Sequence, residues 1–474
     1  MRAGGRLMNG DSKADSVVPM APDCSRLLGH ARSVRFLMDL REIAARLGKA
    51  GPVVRVKAGP FVGYLLNDSS LIRQAARDED TFMFWGREPH VRVIVREGLL
   101  STEGTVHRDR RAVMRPAFAV PRPADLGASV RTETRSLLAT LPADRPVDMS
   151  HEMTRLTFHL AVRCVLRSEV SPGTLTALAA AHATLSQVGA LRFLLSPWPW
   201  VPVPRQRALR RALAVLDEAT REVLARHRPA EDGCDVVSLL KQAWREPSEA
   251  AVQDVRTLLF TGGEATASTL AWACYELGRH PHHQQALQEE ADAALGPGQS
   301  QAGFGMDRLP RTAAFVKEVI RLHGLPVLVR CTRRETWLGG HRLPAKATVF
   351  LHLGAMSRDP AHFERPDVFD PTRWMPDAQP SVSPAAWLPY ALGPRYCPGA
   401  AVADVMVPVA LATLVATRTV RTARPGRTVR SGFELAAMPR GLTMTAALRE
   451  PCPSSPSAAS GRRPHEGASS IARP

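Results

Sequence analysis

Residues 387–399 read WLPYALGPRYCPG, and the chain is organised around the one thiol in that stretch, Cys397. Pro389, Gly393 and Pro394 precede it, and Pro398, Gly399 and the apolar run AAVADVMVPVALATLVA follow. That order predicts a loop feeding a helix start, with Pro398 in the first turn, where a missing N–H costs little. A sulfur so placed lies where the helix dipole and free backbone N–H groups favour a thiolate. A lone cysteine is more often a buried structural residue than a ligand. The segments upstream therefore decide the reading.

Immediately before the loop, residues 361–374 (AHFERPDVFDPTRW) form an irregular, proline-punctuated segment carrying Arg373. Residues 308–324 have helical spacing, with Glu318 and Arg321 on one face at i and i+3. Between these segments, 325–351 reads as short strands around turns at Gly339-Gly340 and Pro344. The longest helical pattern, 248–280, carries Gly262 and Gly263 in its interior beside Glu264. Each glycine there costs up to about 1 kcal/mol relative to alanine, so a reason is needed. Close approach of a flat ligand, a local kink and tight helix packing are the candidates.

Further out, helical stretches cover roughly 124–142, 148–167, 173–190 and 205–228. The apolar, proline-broken run LRFLLSPWPWVPVPRQR (191–207) reads as a lid over a pocket or a buried connection. In 98–118, His107 and Arg111 share one helix face, two donors suited to an anion, although a solvated basic face has the same spacing. The fold opens with a helical pattern at 33–48 and two strands in 52–68 around Gly59-Pro60.

Helical periodicity dominates, so the expected fold class is mainly α with a minor β-sheet region. With 45% hydrophobic residues, the 474-residue chain has enough apolar material for one large domain, placed at 25–450 between disordered ends at 1–24 and 451–474. Seven cysteines form no CxxC pair and no zinc-like cluster, which fits a reducing compartment. The N-terminal stretch lacks the apolar run of a signal peptide or anchor, so no membrane span and a cytoplasmic location are expected. The net charge of +17 is mostly arginine; with no nucleic-acid motif beside it, nucleic acid is not an expected partner.

In this order the motifs resemble the cytochrome P-450 family of haem-thiolate monooxygenases, in its soluble bacterial form. The aromatic-x-x-Gly-x-Arg-x-Cys-x-Gly pattern is met by Tyr390, Gly393, Arg395, Cys397 and Gly399, joined by Glu318-x-x-Arg321, the Arg373 segment, the glycine-acid helix and His107-x-x-x-Arg111. The resemblance spans about residues 25–448. It implies a triangular helical prism holding haem b (iron protoporphyrin IX) between the long central helix and the cysteine loop. Cys397 becomes the metal ligand, since a thiolate pushes electron density onto iron and favours O–O cleavage. Gly399 lets backbone N–H groups reach the sulfur, while Pro398 supplies none. Haem contacts, including those to the propionates, fall to His107, Arg111, Arg330, Tyr390, Arg395 and Gly399, because the arginine fork matches carboxylates. Glu318, Arg321 and Arg373 are implied to form a buried ion cluster that holds the cysteine loop.

The implied function is insertion of an oxygen atom from O2 into a small apolar organic substrate, a secondary metabolite of terpenoid type, by a monomeric enzyme. Electrons come from a separate ferredoxin or flavodoxin with its reductase, since no such domain follows the cysteine loop. Arg108, Arg110 and Arg395 are the expected basic docking face. Phe84, Trp85, Phe193, Trp198, Leu259, Leu325 and Val327 are the expected substrate-pocket residues.

The chain departs from the family pattern twice. On the long helix the family usually reads Ala/Gly-Gly-x-Asp/Glu-Thr, the threonine helping protons reach dioxygen; here Glu264, Ala265 and Thr266 stand in the catalytic positions and the alcohol is missing at 265. Thr266 lies about 100° further round the helix and does not simply replace it. The departure keeps open a peroxide-driven or oxidative-coupling variant and a non-catalytic haem-binding partner protein. Tyr390 stands where phenylalanine is usual, and its hydroxyl needs a partner if buried.

Overall fold

The computed structural model describes residues 18, 50–58, 61–84, 89–120, 123–194, 206–244, 248–296, 306–379, 382–424, 426, 429–431 and 436–449. The expected helix at 33–48, the hairpin turn at 59–60 and the two chain ends fall outside them. At the centre runs the helix Glu249–Arg279, capped by Ser248, whose hydroxyl accepts the Ala250 N–H at 3.2 Å. It is buried on most of its circumference, with the charged residues Asp254, Arg256, Glu264 and Glu276 among the buried ones. The helices Met149–Leu160, Pro310–His323 and Ala400–Thr417 pack against it.

This helix runs through its glycine pair without a break. A Cβ at Gly263 would lie 2.6 Å from Phe158 Cε1, so the second glycine is there to let Met149–Leu160 cross closely. Thr157 Oγ1 seals the crossing by donating to the Gly263 carbonyl at 3.0 Å. Gly262 differs: a Cβ there would meet nothing within 4 Å. One glycine serves packing and its neighbour borders open space.

The helical stretches read from periodicity appear as Pro123–Ala139, Met149–Leu160, Pro172–Leu194 and Gln206–Ala225. The second is shorter than expected because the chain passes into a π-helical turn at Ala161–Val165. Strands Val53–Ala58 and Phe61–Leu66 pair antiparallel from Val53↔Leu66. The sheet continues through Thr348–Leu351, parallel to Phe61–Leu66, then Leu328–Thr332 and Phe82–Phe84, both pairings antiparallel. That last pairing sets Phe84 opposite Arg330. Ala400–Thr417 is long and apolar enough to cross a membrane, yet 72% of it is buried inside the fold, where it is a core helix. Among the described residues it is the one such helix.

A buried carboxylate ties the helix Pro310–His323 to the approach of the cysteine loop. Glu318 and Arg321 are almost wholly buried. Arg321 donates Nε to Glu318 Oε2 at 2.8 Å and Nη2 to Oε1 at 2.7 Å, a bidentate fork. Oε1 also accepts from Arg373 Nε at 3.2 Å and from the Asp370 N–H at 2.9 Å, and Oε2 accepts from Trp374 Nε1 at 2.8 Å. The remaining Arg321 nitrogen donates to the carbonyls of Pro366 at 2.6 Å and Ser357 at 2.9 Å. Trp374 in turn packs on Trp387, with ring centroids 4.5 Å apart, at the first residue of the cysteine stretch. Removing either ionic partner strands a buried charge, so Glu318→Ala or Arg321→Ala is expected to cost about 3–5 kcal/mol in denaturant unfolding and to speed reaction of Cys397 with thiol reagents. Wild-type stability in both variants would show that the cluster does not hold the loop.

A second buried carboxylate, Glu276, locks the end of the central helix. Its Oε1 lies 2.6 Å from His323 Nε2, and its Oε2 lies 3.3 Å from His280 Nε2 and 3.6 Å from Arg279 Nη1. Burial pushes its pKa up, but the neighbouring His280, the hydrogen bond with His323 and the charges of His323 and Arg279 outweigh it and hold the group at about 2. A carboxylate whose folded pKa is depressed adds stability above its ordinary 4.5 and loses it as pH falls toward 2. Glu276→Gln should therefore narrow the stability difference between pH 5 and pH 3 in thermal melts. An unchanged difference would place the acid sensitivity elsewhere.

Candidate active site

The cysteine loop is held by short-range contacts. Gly393 opens a tight turn at φ +72°, and a Cβ there would press to 3.0 Å on Ala76 O and Arg77 Cα, so only glycine suits the position. The Cys397 N–H donates to the Tyr390 carbonyl at 2.9 Å, closing the loop, and the helix Ala400–Thr417 begins three residues later. Tyr390 satisfies its hydroxyl by donating to Asp404 Oδ1 at 2.5 Å. The helix start was expected to favour a thiolate. Burial instead pushes the Cys397 thiol up, against the lowering by the Gly399 N–H and Arg111, and Asp404 adds to the rise. The half-buried sulfur thus needs a cation to ionise it, and a coordinated metal deprotonates a thiol outright.

Next to the loop stands a group of cationic side chains short of anions. Arg111 Nη1 donates to the Tyr396 carbonyl, and Arg395 donates to Glu79 Oε1 at 2.9 Å and to the Thr102 carbonyl at 2.7 Å. Arg330 is 1% exposed and its Nη2 has no partner, and buried His107 likewise leaves Nδ1 unpartnered. Burial, with Arg395, Arg111 and Arg108, pushes His107 down to about 3, so the imidazole is neutral near pH 7. Burial and Arg395 bring Arg330 to about 10. Glu79 answers Arg395 and Glu103 answers Arg333 at 2.9 Å, but among the described residues no carboxylate pairs with Arg111 or Arg330. Buried donors without acceptors fit a ligand that carries carboxylates, as haem b does.

Several expectations change here. Phe84 was assigned to the substrate pocket; its strand register with Arg330 puts its ring against two guanidinium groups, 5.2 Å from Arg330 and 5.1 Å from Arg395. It belongs to the cationic group through cation–π contact. Arg110 was placed on a docking face, yet it is buried and pairs with Asp254 at 2.6 Å, while Arg395 is taken up by Glu79. Leu259 is fully buried among Ile94, Val95 and Phe260 in the core and lines no opening.

The open face of the central helix carries Gly262 and Ala265, both exposed, with half-buried Leu258, Thr261 and Thr269 on the same side. The Thr261 and Thr269 hydroxyls donate to the carbonyls of Thr257 at 2.8 Å and Ala265 at 2.9 Å. Thr266 is turned inward and donates to the Gly262 carbonyl at 3.0 Å, and Glu264 is buried. Of the remaining pocket residues, Leu325 is exposed and Val327 half-buried. Trp85, Trp198 and the Phe193 side chain lie outside the described residues. The structure thus brings Cys397, Gly399, Tyr390 and Arg111 together, and groups Phe84, Arg330 and Arg395 beside them. Sequence reading missed Trp374, whose only signal was its place beside Arg373, and Glu79, which had none.

Comparison with known proteins agrees with this arrangement. The cytochrome P-450 family model matches residues 22–439. A cyclooctatin synthase of Streptomyces melanosporofaciens is 31% identical over 395 residues, 80% of this chain and 85% of its own length. A cyclooctat-9-en-7-ol 5-monooxygenase of the same organism is 30% identical over 413 residues, 84% and 87% of the two chains. The crystal structure of cytochrome P450DA heme domain shares the fold with a TM-score of 0.74 at 20% identity, covering 92% of this chain and 98% of that one. With its helical fold, a cysteine at a helix start and unpartnered polar atoms of buried Arg330 and His107 beside it, the chain belongs to the cytochrome P-450 family of haem-thiolate oxidoreductases, whose cofactor is haem b.

Proposed function

We propose that this protein is a monooxygenase that places one oxygen atom from O2 on an apolar, polycyclic secondary metabolite of terpenoid type, with electrons from a separate ferredoxin. The observation that carries the reading is the Cys397 sulfur at a helix start, with the unpartnered polar atoms of buried Arg330 and His107 in the neighbouring group. Haem b, when bound, supplies the iron centre that activates dioxygen. Cys397 would hold the iron through its sulfur, with the Gly399 N–H close enough in sequence to temper the thiolate's charge. Arg111, Arg330 and His107 take the propionates. Arg330 and Arg395 both rest on the Phe84 ring. Glu318, Arg321 and Arg373 keep the loop in place.

The substrate class is supported by two lines. Gly262, Ala265, Leu325 and Val327 offer small and apolar side chains with exposed or half-buried surface. The two relatives about 30% identical are named for cyclooctatin and a cyclooctatenol. Arg77, Arg108 and Arg115 are exposed, and with Arg110 and Arg395 committed to Asp254 and Glu79 they are the proposed contacts for an acidic redox partner.

The haem-loaded protein is expected to give the ferrous carbonyl band of a thiolate-ligated haem, and to convert a cyclic terpenoid into a product containing one labelled atom from isotopic O2. Cys397→Ser should lose that band, and Arg330→Ala should lower haem occupancy. A wild-type band in Cys397→Ser would overturn the ligand assignment.

Ala265 favours a second reading, a peroxide-driven oxygenase, because hydrogen peroxide arrives with the protons that the missing hydroxyl would help to deliver. Ala265→Thr puts a hydroxyl on the open helix face. If electron-driven turnover is native, this variant should raise product formed per NADPH consumed; unchanged coupling, with faster turnover on peroxide, would favour the second reading.

A further inference from the structure

Asp404 is the one charged residue in the helix Ala400–Thr417, which follows the sulfur. It stands on the second turn, beyond the free N–H groups of the helix start, so capping does not account for it. The residue is exposed, yet its carboxylate is not left to water: the Tyr390 hydroxyl donates to Oδ1 at 2.5 Å. That bond returns to the residue whose carbonyl takes the Cys397 N–H at 2.9 Å. A negative charge is thereby held against the sulfur-bearing loop.

A positive charge meets the same loop from another element. Arg111, on Gly104–Phe118, donates Nη1 to the Tyr396 carbonyl, one residue before the sulfur. Burial pushes the Cys397 thiol up; beyond that, Arg111 lowers it and Asp404 raises it. Burial likewise pushes the Tyr390 and Tyr396 phenols up, and Asp404 adds to both. The field of the carboxylate reaches the sulfur and both neighbouring rings. Loop closure alone needs no charge there, because a neutral acceptor on the helix would take the Tyr390 hydroxyl equally well.

We propose that Asp404, held in place by Tyr390, sets the electron affinity of an iron bound at Cys397, lowering its reduction potential against the opposing charge of Arg111. An electron added to the metal is added negative charge, which a nearby carboxylate disfavours and a guanidinium favours. Asp404 touches no reacting atom and acts through the sulfur. Tyr390 is the positioning residue: with phenylalanine in its place the exposed carboxylate turns to water, where solvent and counter-ions screen it. The electron donor must then be a correspondingly stronger reductant. This inference rests on the assignment of Cys397 as the haem ligand and is independent of the substrate.

Spectroelectrochemical titration of the haem-loaded, substrate-free protein tests it. Asp404→Asn keeps the shape and an acceptor for Tyr390 but removes the charge. At a fixed applied potential its ferrous-to-ferric ratio should rise about three- to tenfold, equivalent to about 30–60 mV for one electron. The C–O stretch of its ferrous carbonyl adduct should move to higher frequency, since less electron density is left to donate. The difference from wild type should shrink as salt is raised from about 0.01 to 1 M, over which the Debye length falls from about 30 to 3 Å. Asp404→Glu should stay near wild type. Tyr390→Phe should shift the potential the same way by less, and the double variant should go no further than Asp404→Asn alone. If Asp404→Asn fails to load haem, Asp404→Ser is judged by the same criteria, and failure of both makes the carboxylate structural and overturns the proposal. So does an unmoved potential in a haem-loaded Asp404→Asn, or a difference that salt leaves unchanged. A wild-type protein without the thiolate carbonyl band overturns the ligand assignment and this proposal with it, whereas an intact band with an unmoved potential overturns the proposal alone.

Discussion

The fold depends on one carboxylate. Glu318, sealed from water, takes the fork of Arg321 together with donors from Arg373, Trp374 and the Asp370 backbone. A buried charge of this kind is tolerated only when nearly every lone pair is engaged. That requirement sets the path of 366–374, because those residues must bring their N–H and carbonyl groups to the pair. The indole of Trp374 carries the constraint onward to Trp387, so the cysteine stretch starts from a fixed wall. A segment with almost no regular secondary structure is ordered by charge satisfaction.

Around Arg111, Arg330 and His107 the balance is reversed. Each is at least half-buried, the nearby carboxylates are committed to Arg395 and Arg333, and polar atoms of Arg330 and His107 stay unpartnered. Such a region is poorly stable by itself and becomes stable with an anion in place, so binding and folding free energies are linked there. The thiol behaves alike: burial holds its proton on until a metal displaces it. Both halves of the site are unfinished in the same sense. Each half on its own favours the same ligand.

What could be read from the residues alone followed from periodicity and local chemistry. The central helix, the strands flanking residue 330 and the Glu318–Arg321 fork are set by spacings of three, four and two, and all are present. The readings that failed depended on which way a side chain faces. Phe84 and Leu259 are apolar, and apolarity does not distinguish a pocket wall from a core or from a platform for guanidinium groups. Arg110 is a charge, and charge does not announce that Asp254, far away in sequence, will pair with it. The two adjacent glycines looked like a single feature, whereas a helix turns about 100° per residue and sent one toward Phe158 and the other toward open space.

The Tyr390–Asp404 hydrogen bond has a bearing on the order of assembly. Together with the Cys397 N–H to Tyr390 contact, it closes the sulfur-bearing loop onto the first turns of its own following helix. Closure over so short a length of chain is entropically cheap and is reached early and locally. The cationic group is the opposite case: its members come from near residues 80, 110, 330 and 395, and meet only when most of the chain is in place. The sulfur can therefore be presented before the anion site exists. A cofactor held at both ends reports a completed fold, while one held by sulfur alone remains exchangeable.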